Sequence, residues 1–213
     1  MKKIGIIGSG NVARMLGSGL NKHGYSIMIG SRDKSKREQL QKEIGVSTGT
    51  FEETALFGEI VILAVKGTAA EDVVFSLSDK LSGKIVIDTT NPIAELPPEN
   101  GVIHYFTTLE ESLLERLQKA APMANLVKAF NSIGNAYMID PQFEIIPTMF
   151  ICGNNAQAKK DVAALLVKVG WEVEDMGNVE SARAIEPLCM LWCIPGFLGN
   201  SWNHAFKLLK KGN

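Results

Sequence analysis

The sequence predicts an α/β chain: a doubly wound, mainly parallel sheet of eight strands followed by a small C-terminal helical extension. Three observations predict it. Short apolar runs alternate with helical patterns almost from end to end, the order that covers a parallel sheet on both faces. The runs themselves are strongly apolar, as strands buried on both sides must be. The first run ends in Gly8-Ser9-Gly10, a turn that opens directly into an amphipathic segment.

The elements follow in order. Residues 3–8 read as the first strand, and residues 11–23 carry Val12, Leu16 and Leu20 at helical spacing. Residues 26–30 form a second strand. Asp33 then caps a charged helix that Gly45 stops. A short third strand over 46–50 leads into a brief helix from Glu52. Residues 59–65 are the fourth strand, 68–77 a helix and 84–88 the fifth strand. Residues 89–105 contain three prolines and read as an irregular loop. A helix over 109–120, a sixth strand over 126–130, a seventh over 148–152, a helix over 156–169 and an eighth strand over 171–176 complete the sheet. Residues 1–178 thus constitute the sheet domain. Residues 179–213 form a proline-interrupted helical extension, too short for a core of its own, which has to pack on the main domain or on a second subunit.

Composition narrows the class. Hydrophobic residues make up 46% and charged residues 21% of the 213, near the globular average, which excludes disordered and fibrous chains. A formal net charge of −1 argues against a nucleic-acid partner. The three cysteines, Cys152, Cys189 and Cys193, are sparse and odd in number, as in a reducing compartment. Lys2-Lys3 and the apolar run after it resemble a signal peptide only superficially, because the run breaks at the glycines. No apolar stretch reaches the ~20 residues of a membrane span. The expectation is a cytoplasmic protein without such a span.

Gly8-Ser9-Gly10-Asn11-Val12-Ala13 matches G-x-G-x-x-G/A in the context that the motif requires, after a strand and at the head of a helix. Gly8 permits the tight turn, Gly10 lets the backbone approach a pyrophosphate, and Ala13 lets helix and strand pack closely. The helix N-terminus then faces the anion with free N–H groups. An NAD(P)-binding Rossmann fold follows. The end of the second strand selects the dinucleotide. Where an NAD-binding chain places an acidic residue, this one reads Gly30-Ser31-Arg32-Asp33-Lys34-Ser35-Lys36-Arg37. The hydroxyl of Ser31, the guanidinium of Arg32 and the ammonium of Lys36 suit a 2′-phosphate, so the expected cofactor is NADP(H). Asp33 is read as a helix cap, and Lys34 and Arg37 as a solvated helix face.

Ligands in open parallel sheets sit at the strand C-termini. Here those ends are Val65-Lys66-Gly67, Thr89-Thr90-Asn91-Pro92 and Asn131-Ser132-Ile133-Gly134. Val65, Lys66, Asn91 and Gly134 are assigned to the dinucleotide, and Gly67, Asn131 and Ser132 to the pocket for its redox partner. Lys66 is the one titratable side chain among them; it either donates a proton or orients the nicotinamide or faces solvent. No catalytic residue is assigned. Ketone and alcohol chemistry needs a general acid or base, whereas a flavin-like acceptor needs mainly orientation. The thin inventory therefore favours a small-molecule acceptor that brings its own redox chemistry.

Other residues receive blander readings. His104 is a surface-loop histidine rather than a pocket residue, and His23 a favourable charge at a helix end. Cys189 and Cys193 stand four apart on one helix face, and core packing is preferred to a metal or redox pair because no further ligand has matching spacing. No metal site is expected. Residues 187–198 are too apolar for a free surface and mark a homodimer seam, a lid over the acceptor, or both.

Gly8 to Ala13, Gly30-Ser31-Arg32, Lys128-Ala129-Phe130-Asn131 and Ser181-Ala182-Arg183-Ala184-Ile185-Glu186 together resemble the NADP oxidoreductase, coenzyme F420-dependent family over nearly the whole chain. The Lys-Ala-Phe-Asn stretch is also similar to the NADPH-binding domain of STEAP-type metalloreductases. The resemblance implies a dimeric Rossmann protein that passes a hydride between NADP(H) and a deazaflavin (coenzyme F420) or flavin. It implies that Ser9, Gly10, Asn11 and Val12 contact the pyrophosphate, that Ser31, Arg32 and Lys36 hold the 2′-phosphate, and that Ile133 packs on the nicotinamide. Two positions depart from the F420 enzymes: Asn131 stands where they tend to have histidine, and Lys66-Gly67 where they show Pro-Trp. An imine or ketone reductase of the pyrroline-carboxylate or hydroxyacid dehydrogenase type, and a non-catalytic NADPH-binding module, are the alternatives.

Overall fold

The computed structural model describes residues 2–211. Its first half consists of β1 (Lys3–Ile7), α1 (Asn11–Lys22), β2 (Ser26–Gly30), α2 (Lys34–Ile44), β3 (Ser47–Gly49), α3 (Phe51–Phe57), β4 (Ile60–Leu63), α4 (Gly67–Ser76), the single turn α5 (Ser78–Leu81) and β5 (Ile85–Asp88). After an irregular loop come α6 (Leu113–Ala120), β6 (Asn125–Lys128), β7 (Thr148–Ile151), α7 (Ala156–Lys168), β8 (Glu172–Asp175), α8 (Ala182–Ile185) and α9 (Pro187–Gly199). Residues 200–211 contain no helix or strand. No helix of the described residues is long and apolar enough to cross a membrane.

Local chemistry sets the element ends. The Asp33 carboxylate accepts from the Ser35 and Lys36 amides at the head of α2, and Gly45 ends that helix in the left-handed conformation (φ 73°). Thr50 with Glu53 and Ser112 with Glu115 form complete capping boxes on α3 and α6. In α1 the buried positions Ala13, Leu16, Gly17 and Leu20 repeat at three and four residues, giving one apolar face. Gly17 stays small because a Cβ there would stand 2.7 Å from Ile29 Cδ1.

Six strands form the main sheet in the order β3-β2-β1-β4-β5-β6, every pair parallel. The order reverses between β1 and β4, which opens a crevice at their C-terminal ends. Alternation along the strands divides the core between two faces. Ile4, Ile6, Ile60, Ile62 and Val127 pack with α1 and α7. Ile7, Val61, Leu63, Val86 and Leu126 pack with α4, α6 and α8. Each such fully buried aliphatic side chain contributes about 1.5–3 kcal/mol.

The eight-stranded sheet expected from the sequence is corrected to six strands plus a separate parallel pair, β7-β8. Only one antiparallel bridge, Lys128 to Cys152, joins β6 to β7. The ladder stops there for local reasons. Phe130 turns into the left-handed region (φ 62°), its amide meets Met149 Sδ instead of a carbonyl, and Gly153 crosses against the Leu126 carbonyl. The extension is also only partly helical. Its last segment runs extended beside the small sheet: the Thr148 amide donates to Phe206 O, while Lys207 and Lys210 pair with Glu172 and Glu174.

Candidate dinucleotide and acceptor site

The turn after β1 is built for close approach. Gly8 has φ 129°, and a Cβ on it would lie 2.1 Å from the Ala64 carbonyl oxygen, so the crossing of the turn over the end of β4 requires glycine. At Gly10 the requirement differs, because an added Cβ would meet nothing within 4 Å. Gly10 is the N-cap of α1 and gives it no side-chain cap. The twelve-residue helix therefore presents free N–H groups to open space, the arrangement a pyrophosphate needs.

Beside this turn lies a cleft of about 440 Å³, lined in part by Gly8, Ser9, Gly10, Ser31, Arg32 and Lys36. Ser31 is buried and its hydroxyl donates to Ser9 Oγ at 3.2 Å, tying the end of the second strand to the turn after β1. Arg32 is exposed, with its guanidinium 5.7 Å above the Phe51 ring, and it makes no ion pair among the described residues. Lys36 is exposed on the first turn of α2. Asp33 is committed to its own helix. Its bonds from the Ser35 hydroxyl and the Lys36 and Ser35 amides hold its carboxyl below the usual range. Arg37 is not a plain solvated residue, since its Nη1 donates to Ser31 O at 2.6 Å and braces the strand end.

A second cleft, of about 620 Å³, shares Ala64, Val65 and Lys66 with the first. Val12, Gly67, Thr89, Thr90, Asn91 and Glu95 line it as well. The two clefts make one groove across the C-terminal ends of β2, β1, β4 and β5, cationic at one end and rich in hydroxyls and amides at the other. Lys66 is 80% exposed and pairs with Glu95 at 3.2 Å across the rim. A Cβ on Gly67 would sit 1.9 Å from the Asn91 carbonyl oxygen, so the loop after β5 fills the room a larger residue would occupy. Asn91 and Asn131 lock together: Asn91 Nδ2 donates to Asn131 O at 2.8 Å, and Asn131 Nδ2 donates to Asn91 Oδ1 at 3.2 Å and Ile185 O at 2.9 Å. Asn131 Oδ1 is buried and has no hydrogen-bond partner among the described residues.

Not every residue singled out in the sequence reaches this groove. Asn11 is exposed at the head of α1, beside the turn. Asn131, Ser132 and Ile133 are buried and line neither cleft; Ile133 belongs to the core under α1. Gly134 lines a different cleft of about 610 Å³ with Tyr137, Trp192 and Trp202, and the Trp192 ring would come within 2.9 Å of a Cβ on it. His104 is half-buried in its loop, and His23 closes on the Asp140 carboxylate at 2.9 Å. Cys189 is buried in α9 but Cys193 only half-buried. Their mutual hydrogen bond, with burial, holds the Cys189 thiol well above its ordinary pKa, and the same bond lowers that of Cys193. Burial pushes Cys152 up to about 12.

Sequence reasoning missed two things. Phe51, at the head of α3, and Glu95, in the loop after β5, complete the groove. Behind its wall, Lys128 is fully buried, with Nζ 2.5 Å from Asp88 Oδ2, 2.8 Å from Glu186 Oε1 and 3.0 Å from Thr90 O. Burial penalises the ammonium, but the two carboxylates outweigh that and hold its pKa above the ordinary value. A lysine in the apolar run Leu126-Val127-Lys128-Ala129 was the available signal.

Known proteins resemble this arrangement. The family model for NADP oxidoreductase coenzyme F420-dependent matches residues 3–92. Metalloreductase STEAP3 of Rattus norvegicus is 31% identical over 200 residues, 92% of this chain and 39% of that protein. The F420-dependent NADP reductase of Methanocaldococcus jannaschii is 28% identical over 177 residues, 78% of this chain and 79% of that protein. A crystal structure from Arthrobacter sp. FB24, assigned as an F420-dependent NADP reductase, superposes with a TM-score of 0.90 at 28% identity, covering 99% of this chain and 100% of that one. The chain spans only about two fifths of the length of the metalloreductase. The matched segment contains the turn after β1, the Ser31-Arg32 corner and the end of β4, and with the relatives it makes the chain similar to NADP-dependent oxidoreductases of the coenzyme F420-dependent type.

Proposed function

We propose that the protein transfers a hydride between NADP(H) and a deazaflavin, a flavin or a similar redox acceptor. The observation that carries this reading is the continuous groove: a phosphate turn and a cationic corner at one end, joined through Ala64, Val65 and Lys66 to a cleft whose only charged side chains are paired at its rim. NADP(H), when bound, supplies the hydride at its nicotinamide ring. The free N–H groups of α1 and the exposed Arg32 and Lys36 bind the phosphates. Thr89, Thr90 and Asn91 form the wall that orients the far end, and Val12 with Ala64 excludes water there. Lys66 and Glu95 are both exposed, so neither supplies the desolvated acid or base that carbonyl reduction calls for. The names of the F420-dependent relatives agree with a cofactor-like acceptor.

The chain acts as a cytoplasmic homodimer in this reading. Residues 1–178 form the NADP-binding unit, and 179–213 supply the seam or lid. Leu191 and Leu198 on α9 are 54% and 67% exposed, and Leu198 packs beside Gly101 near the exposed Val102, which favours a covering surface. The test is to mix the protein with NADPH and F420, FMN, FAD, ferric chelates, quinones, imines and ketones and follow the nicotinamide absorbance. Oxidation by flavin-like acceptors supports the proposal. Oxidation by imines or ketones alone, or binding without turnover, overturns it.

A further inference from the structure

Thr90 forms part of the wall of the acceptor cleft, and each of its polar groups is held from behind. Its amide and hydroxyl donate to Asp88 Oδ1 at 2.9 and 2.7 Å, and its carbonyl accepts from Lys128 Nζ at 3.0 Å. Lys128 in turn pairs with Glu186 at the start of α9, whose carboxylate also accepts from the Leu113 and Leu114 amides at the head of α6, both at 3.0 Å. Next to this, Asn131 joins the adjacent wall residue Asn91 to the Ile185 carbonyl. The end of β5, the end of β6, α6 and the α8–α9 junction therefore meet in one buried polar knot, with one ammonium and two carboxylates inside. Buried ion clusters are weak contributors to stability, and apolar replacements of similar volume are often as stable or more so. What this one provides is geometry.

We infer that Lys128, with Asp88 and Glu186, is a positioning residue for the nicotinamide and acceptor end of the groove, locking the Thr90-Asn91 wall to the C-terminal extension. None of the three lines either cleft of the groove. The inference rests on the reading that the groove binds NADP(H). It separates the two ends of the groove: the corner at Ser31 and Arg32 lies in the connection between β2 and α2 and, among the described residues, shares no hydrogen bond with the knot.

The test compares two ligands by calorimetry. Adenosine 2′,5′-bisphosphate engages the phosphate corner alone, and NADPH spans the groove. In E186Q, and in the charge-free K128M/D88N/E186Q protein that leaves no buried ion unpaired, adenosine 2′,5′-bisphosphate affinity is expected within about twofold of wild type and NADPH affinity at least about tenfold weaker. The E186Q variant keeps the volume and an acceptor oxygen, so it addresses the question if the triple variant does not fold. A merely structural role would lower the melting temperature and leave the ratio of the two affinities unchanged; that result overturns the inference. If wild-type protein binds neither ligand, it is the dinucleotide reading itself that fails.

Discussion

On the proposed reading, replacing Arg32 with alanine isolates the interaction that would distinguish NADP(H) from NAD(H). Arg32 is exposed, its guanidinium lies above the Phe51 ring, and no carboxylate among the described residues competes for it. A charge-assisted hydrogen bond from arginine to phosphate contributes about 1.5–3 kcal/mol. Solvent exposure places this one in the lower half of that range, at about 2 kcal/mol, or roughly 30-fold in Kd. R32A is therefore expected to bind NADPH roughly 30-fold more weakly and NADH within about twofold of wild type. The loss should shrink as salt rises, because the interaction is screened. Calorimetric titration of both nucleotides at low and high salt measures all three quantities. Equal weakening of NADPH and NADH, or none, would refute the assignment of the corner to a 2′-phosphate.

The remaining expectations are more local. Gly8→Ala adds a Cβ 2.1 Å from a carbonyl at φ 129°, so stability should fall by about 2–4 kcal/mol, read from denaturant midpoints; an unchanged midpoint would contradict the crossing of the turn over β4. Arg183 and the Ser112 cap hold the Glu115 carboxyl at about 2 against an ordinary 4.5, with burial opposing. Because the folded-state value is depressed, this stabilisation is present above about pH 4.5 and lost as pH falls toward 2. With Arg183 39% exposed, R183M should lower the denaturant midpoint at pH 7 and progressively less below pH 4, and a gap independent of pH would count against the pair. Iodoacetamide at pH 8 should label Cys193 first and leave Cys152 unmodified, as mass spectrometry would show; labelling of Cys152 in native protein would contradict its burial. Truncation after Asn178 removes Glu186 from Lys128 and Trp192 from the cleft beside Gly134, and the product should aggregate in light scattering; a monodisperse, active truncate would refute the packing described for the extension.

The sequence alone determined what is written in short-range chemistry. The glycine turn, the apolar strand runs and the caps at Asp33 and Gly45 depend on neighbours a few residues apart, so the α/β class and the turn that opens into α1 were legible in order along the chain. Only the tertiary structure decided what depends on distant segments meeting. The break between β6 and β7 comes from the backbone at Phe130 and the crossing at Gly153. Gly67 is fixed by the carbonyl of Asn91, and Gly134 faces Trp192, 58 positions along the chain, instead of the groove. The knot of Lys128 with Asp88 and Glu186 joins residues that no local pattern pairs. A buried lysine finds its carboxylates only when the sheet edge and the C-terminal helices close over it, because burial makes the unpaired charge too costly to leave and water too distant to help.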